Sequence, residues 1–174
     1  TIKAQEAVQK ATEIAGGQQQ QAIETGHLLK GIFQVDENVT GFLAKKLGVN
    51  LNILTPRLDA IINAYPKVSG GSPYLANEAA AALQRANGFL KEFDDEYVSV
   101  EHLLLGILAG RDSVATLLKD TGFNEKDLKA AIKELRGGRK VTSQSAEDQY
   151  QSLNRYARNL NEQVRTGKMD PVIG

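Results

Sequence analysis

Ile23-Glu24-Thr25-Gly26-His27-Leu28-Leu29-Lys30-Gly31-Ile32-Phe33 and Val98-Ser99-Val100-Glu101-His102-Leu103-Leu104-Leu105-Gly106-Ile107-Leu108 are two versions of one segment, 75 residues apart. Working outward at the same offset, Ala4 falls on Ala79, Ala7 on Ala82, Val8 on Leu83, Ala11 on Ala86 and Ile14 on Phe89. Downstream, Val39 falls on Val114, Phe42 on Leu117 and Leu43 on Leu118. A single deletion then shifts the offset to 74, which pairs Gly48 with Gly122, Leu54 with Leu128, Leu58 with Ile132 and Ile61 with Leu135. A fixed period running through both halves of a chain is the mark of a duplicated structural unit.

Each unit reads as four short helices, and no alternating strand pattern is present. Ala4, Ala7, Val8, Ala11, Ile14 and Ala15 recur three and four residues apart, as one face of a helix requires. The run Ala79-Ala80-Ala81-Ala82-Leu83 gives the matching helix a strong intrinsic preference. Ser99 is placed to cap the second helix of unit two. Gly48 and Gly122 follow apolar helical runs, where a left-handed residue ends a helix. Thr55-Pro56 has the form of an N-cap and first-turn proline, with Asn50 as the competing start. The sequence therefore predicts an all-α fold: two tandem four-helix units, 1–65 and 74–136, related by a pseudo-twofold. Pro66-Lys67-Val68-Ser69-Gly70-Gly71-Ser72-Pro73 joins them with loop composition.

Residues 137–174 are a linker. Gly137-Gly138 and the polar run after them read as flexible backbone, with amide hydrogens expected to exchange rapidly across 137–147. Tyr150, Leu153, Tyr156, Ala157, Leu160 and Val164 then form an apolar stripe on one further helix. The chain starts at Thr1 without Met and ends on Met169-Asp170-Pro171-Val172-Ile173-Gly174, which suggests that the natural chain continues.

Composition excludes several classes. Apolar residues make up 41% with no run near the roughly 20 that span a membrane. Cysteine is absent, which removes disulfides, thiolate catalysis and Cys-ligated zinc, and fits a cytoplasmic protein. Lys+Arg and Asp+Glu both count 21, divided as 14 and 17 over 1–135 and 7 and 4 over 136–174. Neither part has the basic surface that a nucleic-acid binder needs.

His27 and His102 hold the same place in both units, so the reading is a shared structural role: capping, or hydrogen bonding to a neighbouring loop. A metal site needs further ligands, and no H-x-x-x-H or comparable spacing occurs. Gly16-Gly17 and Gly70-Gly71 lack the Lys-Ser/Thr of a phosphate-binding loop, so neither ATP nor another cofactor is expected on this chain. Glu92, Asp94, Asp95, Glu96 and Glu101 form an acidic cluster, either a solvated loop or the rim of a peptide site. The seam between units is the natural place for an apolar groove.

Val98-Ser99-Val100-Glu101-His102-Leu103-Leu104, with the tail segments Ser145–Leu153 and Arg165–Gly174, resembles the Clp N-terminal domain and linker of ClpB-type protein disaggregases. Unit one departs from the motif, with Gly26 in place of the acid, and the proline common before it is missing from both copies. The resemblance implies a mobile domain on a hexameric AAA+ ring, whose ATP- and Mg-binding modules lie outside this chain. It implies capture of unfolded or aggregated polypeptide for threading, and cooperation with a DnaK-type chaperone system. It also implies peptide-site positions at Thr1, Asp95 and Glu101, over an apolar floor at Leu83 and Leu90. The competing implication is an adaptor-docking domain of a ClpA- or ClpC-like unfoldase that feeds a protease.

Overall fold

A computed structural model describes residues 1–68 and 70–149, and its helices recur in two successive sets. In unit one they are α1 (Ile2–Gly17), α2 (Thr25–Val35), α3 (Glu37–Leu47) and α4 (Leu51–Asn63). In unit two they are α5 (Asn77–Gly88), the short α6 (Leu90–Phe93), α7 (Val100–Leu108), α8 (Ser113–Thr121) and α9 (Glu125–Arg136). Together α5 and α6 occupy the place of α1, interrupted at Gly88-Phe89, where glycine holds a helix weakly.

Small residues set the tightest packing in each unit. Ala7, Ala11 and Ala15 are fully buried along α1, and Ala79, Ala82 and Ala86 along α5. Each alanine face receives a glycine from the second helix of its unit. A Cβ on Gly31 would come 2.6 Å from the Ala7 carbonyl oxygen, and one on Gly106 would press into that of Ala82. The backbones approach closely only because neither position carries a side chain.

Contacts between the units occur in symmetric pairs. Helix α3 packs on α9 and α4 on α8, while α1 meets α7 and α2 meets α5. Exchanging each helix for its counterpart turns one contact of a pair into the other. The main chain repeats the relation: Thr1 N donates to Val98 O at 2.6 Å, and Ala76 N to Ile23 O at 3.0 Å. These pairs establish the pseudo-twofold, with α2 and α7 touching near its axis.

Three local expectations need correction. Helix α4 starts at Leu51, capped by Asn50, whose side chain accepts from Asn52 N at 2.9 Å, so Thr55 is no cap. Pro56 lies inside the helix; burial of Leu54, Leu58 and Ile62 on one face carries the chain through it. A two-residue parallel pairing of β1 (Ala22–Ile23) and β2 (Tyr74–Leu75) also forms, where the inter-unit segment returns beside the approach to α2.

The third correction concerns the start of the tail. Val141, Ala146 and Glu147 are buried on the double repeat. Val141 N donates to Asp95 Oδ1 at 2.9 Å, and its carbonyl accepts from Glu96 N at 2.8 Å. Gln144 O accepts from Ile2 N at 2.9 Å. Residues 139–149 are therefore held to the body, contrary to the reading of 137–147 as flexible. The apolar stripe from Tyr150 to Val164, expected on one further helix, lies outside the described residues.

Candidate functional site: the seam groove and the buried cluster beside it

An open groove of about 500 Å³ runs along the seam. Its walls are Ala4, Gln5 and Val8 of α1 and Leu83 and Asn87 of α5, with Thr1, Val98 and Leu103 completing it. Val8 and Leu83 are counterparts, so the groove straddles the pseudo-twofold. Ile2 and Tyr97, both exposed, flank Thr1 and Val98 in the chain and add apolar surface nearby. Aliphatic walls with a few amide and hydroxyl groups suit an extended apolar segment, whose backbone needs hydrogen-bond partners wherever it loses water.

The five positions implied for peptide contact divide in two. Thr1 and Leu83 line the groove. Asp95 and Glu101 do not: both side chains are wholly buried, which corrects the picture of an exposed acidic rim. Leu90, half-buried at the start of α6, is also not among the lining residues.

Asp95 and Glu101 belong to an internal ion cluster. Arg136 reaches Asp95 Oδ2 through Nη1 at 2.7 Å and Glu101 Oε2 through Nη2 at 3.0 Å. Its guanidinium also lies 5.1 Å from the Phe93 ring centroid. Ser99, the N-cap of α7, donates its hydroxyl to Glu101 Oε2 at 2.6 Å. His102 accepts the Ser99 main-chain N–H on Nδ1 at 2.8 Å, so its proton sits on Nε2 and is donated to Asp95 Oδ2 at 2.7 Å. Burial is the main cause that lowers the His102 pKa, with Glu101 opposing it, so the ring is neutral near pH 7.

Unit one builds the same closure without charge. His27 Nδ1 accepts from Glu24 N at 2.9 Å, and Nε2 faces Gln20 Oε1 at 2.6 Å. The Gln20 amide then donates to Ile62 O at 2.6 Å. Burial lowers the His27 pKa to about 4. Gln20 is the counterpart of Asp95, and Ile62 that of Arg136. Immediately before them Gln19 and Asp94 take positive φ, 58° and 55°, the only non-glycine residues to do so among those described. That left-handed turn aims each histidine's partner back at the ring. Each histidine thus caps the second helix of its own copy and hydrogen-bonds the preceding loop.

Sequence reasoning missed Gln20, Arg136 and Glu147. The offset that aligned the histidines also places Gln20 on Asp95, and Arg136 occupies an apolar position of its copy; both signals were available. Glu147 carried none. Its Oε2 accepts from Thr1 Oγ1 at 2.6 Å and from Val100 N at 3.1 Å. Among the described residues no group of His, Asp and Glu is arranged to hold a metal ion, and no helix is long and apolar enough to cross a membrane.

The duplicated helical units, their paired seam contacts and the capped histidine of each copy define a double-repeat Clp N-terminal module. The Clp repeat (R) N-terminal domain family matches residues 1–121, and the chain belongs to it. Over all 174 residues it is 54% identical to the chaperone protein ClpB of Bacteroides thetaiotaomicron and 49% to that of Porphyromonas gingivalis. The chain spans about a fifth (20%) of the length of each. Its fold is similar to the crystal structure of the Hsp104 N-terminal domain from Candida albicans, with a TM-score of 0.72 at 22% identity, covering 83% of this chain and 95% of that one.

Proposed function

We propose that this chain is the substrate-capturing N-terminal domain of a ClpB-type disaggregase, and that the seam groove holds exposed apolar segments of unfolded polypeptide. The observation that carries the reading is the groove itself, lined by Ala4, Val8, Leu83, Val98 and Leu103 at the junction of the two copies. Identity to two ClpB chaperones across the whole chain, tail included, supports it. In this reading the domain passes its captured segment to a hexameric ATPase ring encoded outside these residues, where ATP and Mg²⁺ bind. A DnaK-type system receives or supplies clients through those same outside regions, and the setting is cytoplasmic.

Fluorescence anisotropy with a labelled, unfolded apolar peptide tests it. Leu83→Asp puts a charge into the groove wall from a half-buried position and should weaken binding at least tenfold, since desolvating a carboxylate against an apolar ligand is costly. Circular dichroism on the same sample checks that the helices persist. Unchanged affinity in a folded Leu83→Asp protein places the peptide elsewhere.

A further inference from the structure

Glu147 sits where the tail, α1 and α7 meet, and its bonds join all three. Thr1 caps α1, its Oγ1 accepting from Ala4 N at 3.1 Å, and donates its own hydroxyl proton to Glu147 Oε2. The same oxygen accepts the first free N–H of α7, that of Val100. One carboxyl group from the tail therefore closes the N-termini of two helices that belong to different units. Thr1 is also part of the groove wall.

The surroundings disfavour a charge there. Glu147 is fully buried, and its Oε1 has no hydrogen-bond partner among the described residues. Glu101 of α7 is a like charge that repels an ionised Glu147; it is itself tied to Arg136 of α9, with Asp95 and the neutral His102 beyond. From α1 the nearby group is the Thr1 nitrogen, which donates to Val98 O. Arg136 spends its two Nη groups on Asp95 and Glu101, so the positive charge that acts on Glu147 is the Thr1 ammonium, whose own pKa burial lowers.

We infer that Glu147 is a protonation-controlled latch: in its neutral form it clamps the start of the tail onto the seam and fixes Thr1 in the groove wall, and on losing its proton it loosens both. The effect on capture rests on reading the groove as the peptide site; the latch itself does not. Burial first, and repulsion by Glu101 second, raise the Glu147 pKa from 4.5 to about 7, against the hydrogen bonds from Thr1, its own main chain and Val100. A group whose pKa is higher when packed than when released favours the packed state at low pH and loses that contribution as pH rises through the packed value.

Hydrogen exchange across 139–149 reads the latch directly, once rates are corrected for the intrinsic pH dependence of exchange. In the wild type, protection should fall about tenfold between pH 6 and pH 8, the linkage expected for these two pKa values. Glu147→Gln keeps an oxygen to accept from Thr1 and Val100 but never ionises, and should stay protected at both pH values. It also retains any titration of the Thr1 nitrogen, which makes it the control for that group. Glu147→Ala should lose protection at both. Flat protection in the wild type, or a wild-type slope in Glu147→Gln, overturns the latch. With the labelled apolar peptide, Glu147→Ala should bind several-fold more weakly than Glu147→Gln. Equal affinities would disconnect the latch from the groove. If the wild type binds no peptide, the groove reading fails, and the exchange data alone still decide the latch.

Discussion

The two copies solve one problem with different chemistry. In both, a histidine in the first turn of the second helix accepts a backbone N–H on Nδ1 and offers Nε2–H to a residue seven positions earlier. Unit one answers with Gln20, which passes the bond on to the end of α4. Unit two answers with Asp95, whose charge then requires Arg136, and Arg136 in turn supports Glu101. The position corresponding to Glu101 is Gly26, where a Cβ would lie 2.7 Å from the Tyr65 hydroxyl, so an aromatic fills the space that the second acid occupies in the other copy. The closure belongs to the fold; the charge belongs to unit two alone. It lies beside α7 and the tail, next to the groove.

The largest expected effect breaks this comparison at its charged end. Arg136→Ala leaves Asp95 and Glu101 buried without a cation and should cost about 3–5 kcal/mol. Gln20→Ala in unit one strands only neutral groups, the His27 Nε2–H and the Ile62 carbonyl, at about 1–3 kcal/mol. Urea unfolding of the two variants measures the gap. Equal losses would mean that the ion cluster is solvated in solution and that the copies are energetically alike. By the same geometry Asp95→Ala and Glu101→Ala each strip Arg136 of a buried partner and should destabilise the fold.

A pH experiment sharpens the comparison at the histidines. The His27 pKa falls from 6.5 to about 4, so its contribution is complete above pH 6.5, declines as pH drops, and is spent below about 4. That amounts to about 3 kcal/mol of acid sensitivity. His102 is lowered as well, by burial and then by Arg136, but Glu101 and Asp95 favour its cation and oppose the shift. His27→Asn, which keeps an acceptor near the Nδ1 position, should therefore flatten the loss of stability between pH 6.5 and 4.5 more than His102→Asn does. The reverse order, read from urea midpoints across that range, would show that the carboxylates do not support His102.

Legibility followed the same division. Alignment at a fixed offset revealed the repeated helical unit, because the apolar faces and the paired Gly31 and Gly106 are kept in both copies. It failed at Thr55-Pro56, where a local proline signal competed with a long buried face and lost. The acidic cluster was misplaced for a related reason: composition distinguishes a charged residue from an apolar one but not a solvated carboxylate from a buried, paired one. Only the partner decides that, and Arg136 is 41 residues from Asp95. Glu147 was out of reach, because a polar stretch after Gly137-Gly138 has the composition of a flexible linker. Its burial depends on the groove edge formed by Thr1, at the opposite end of the sequence.

The smallest effect belongs to the one surface ion pair that crosses between units among the described residues. Lys46 of α3 meets Glu134 of α9 at 2.7 Å, with both side chains about half exposed (43% and 57%). Across the pseudo-twofold, α8 packs on α4 with Thr121 and Ala60 at the corresponding positions, so this contact closes without an ion pair. If buried apolar faces hold the seam together, the pair is an ornament of one copy. Lys46→Ala should then change stability by less than about 1 kcal/mol, with the difference vanishing in high salt. A double-mutant cycle with Glu134→Ala isolates the pairwise part. A coupling above about 1 kcal/mol that survives salt would mean that α3 and α9 are held by charge where α8 and α4 are held by packing, and the asymmetry between the copies would extend beyond the histidine closures into the seam itself.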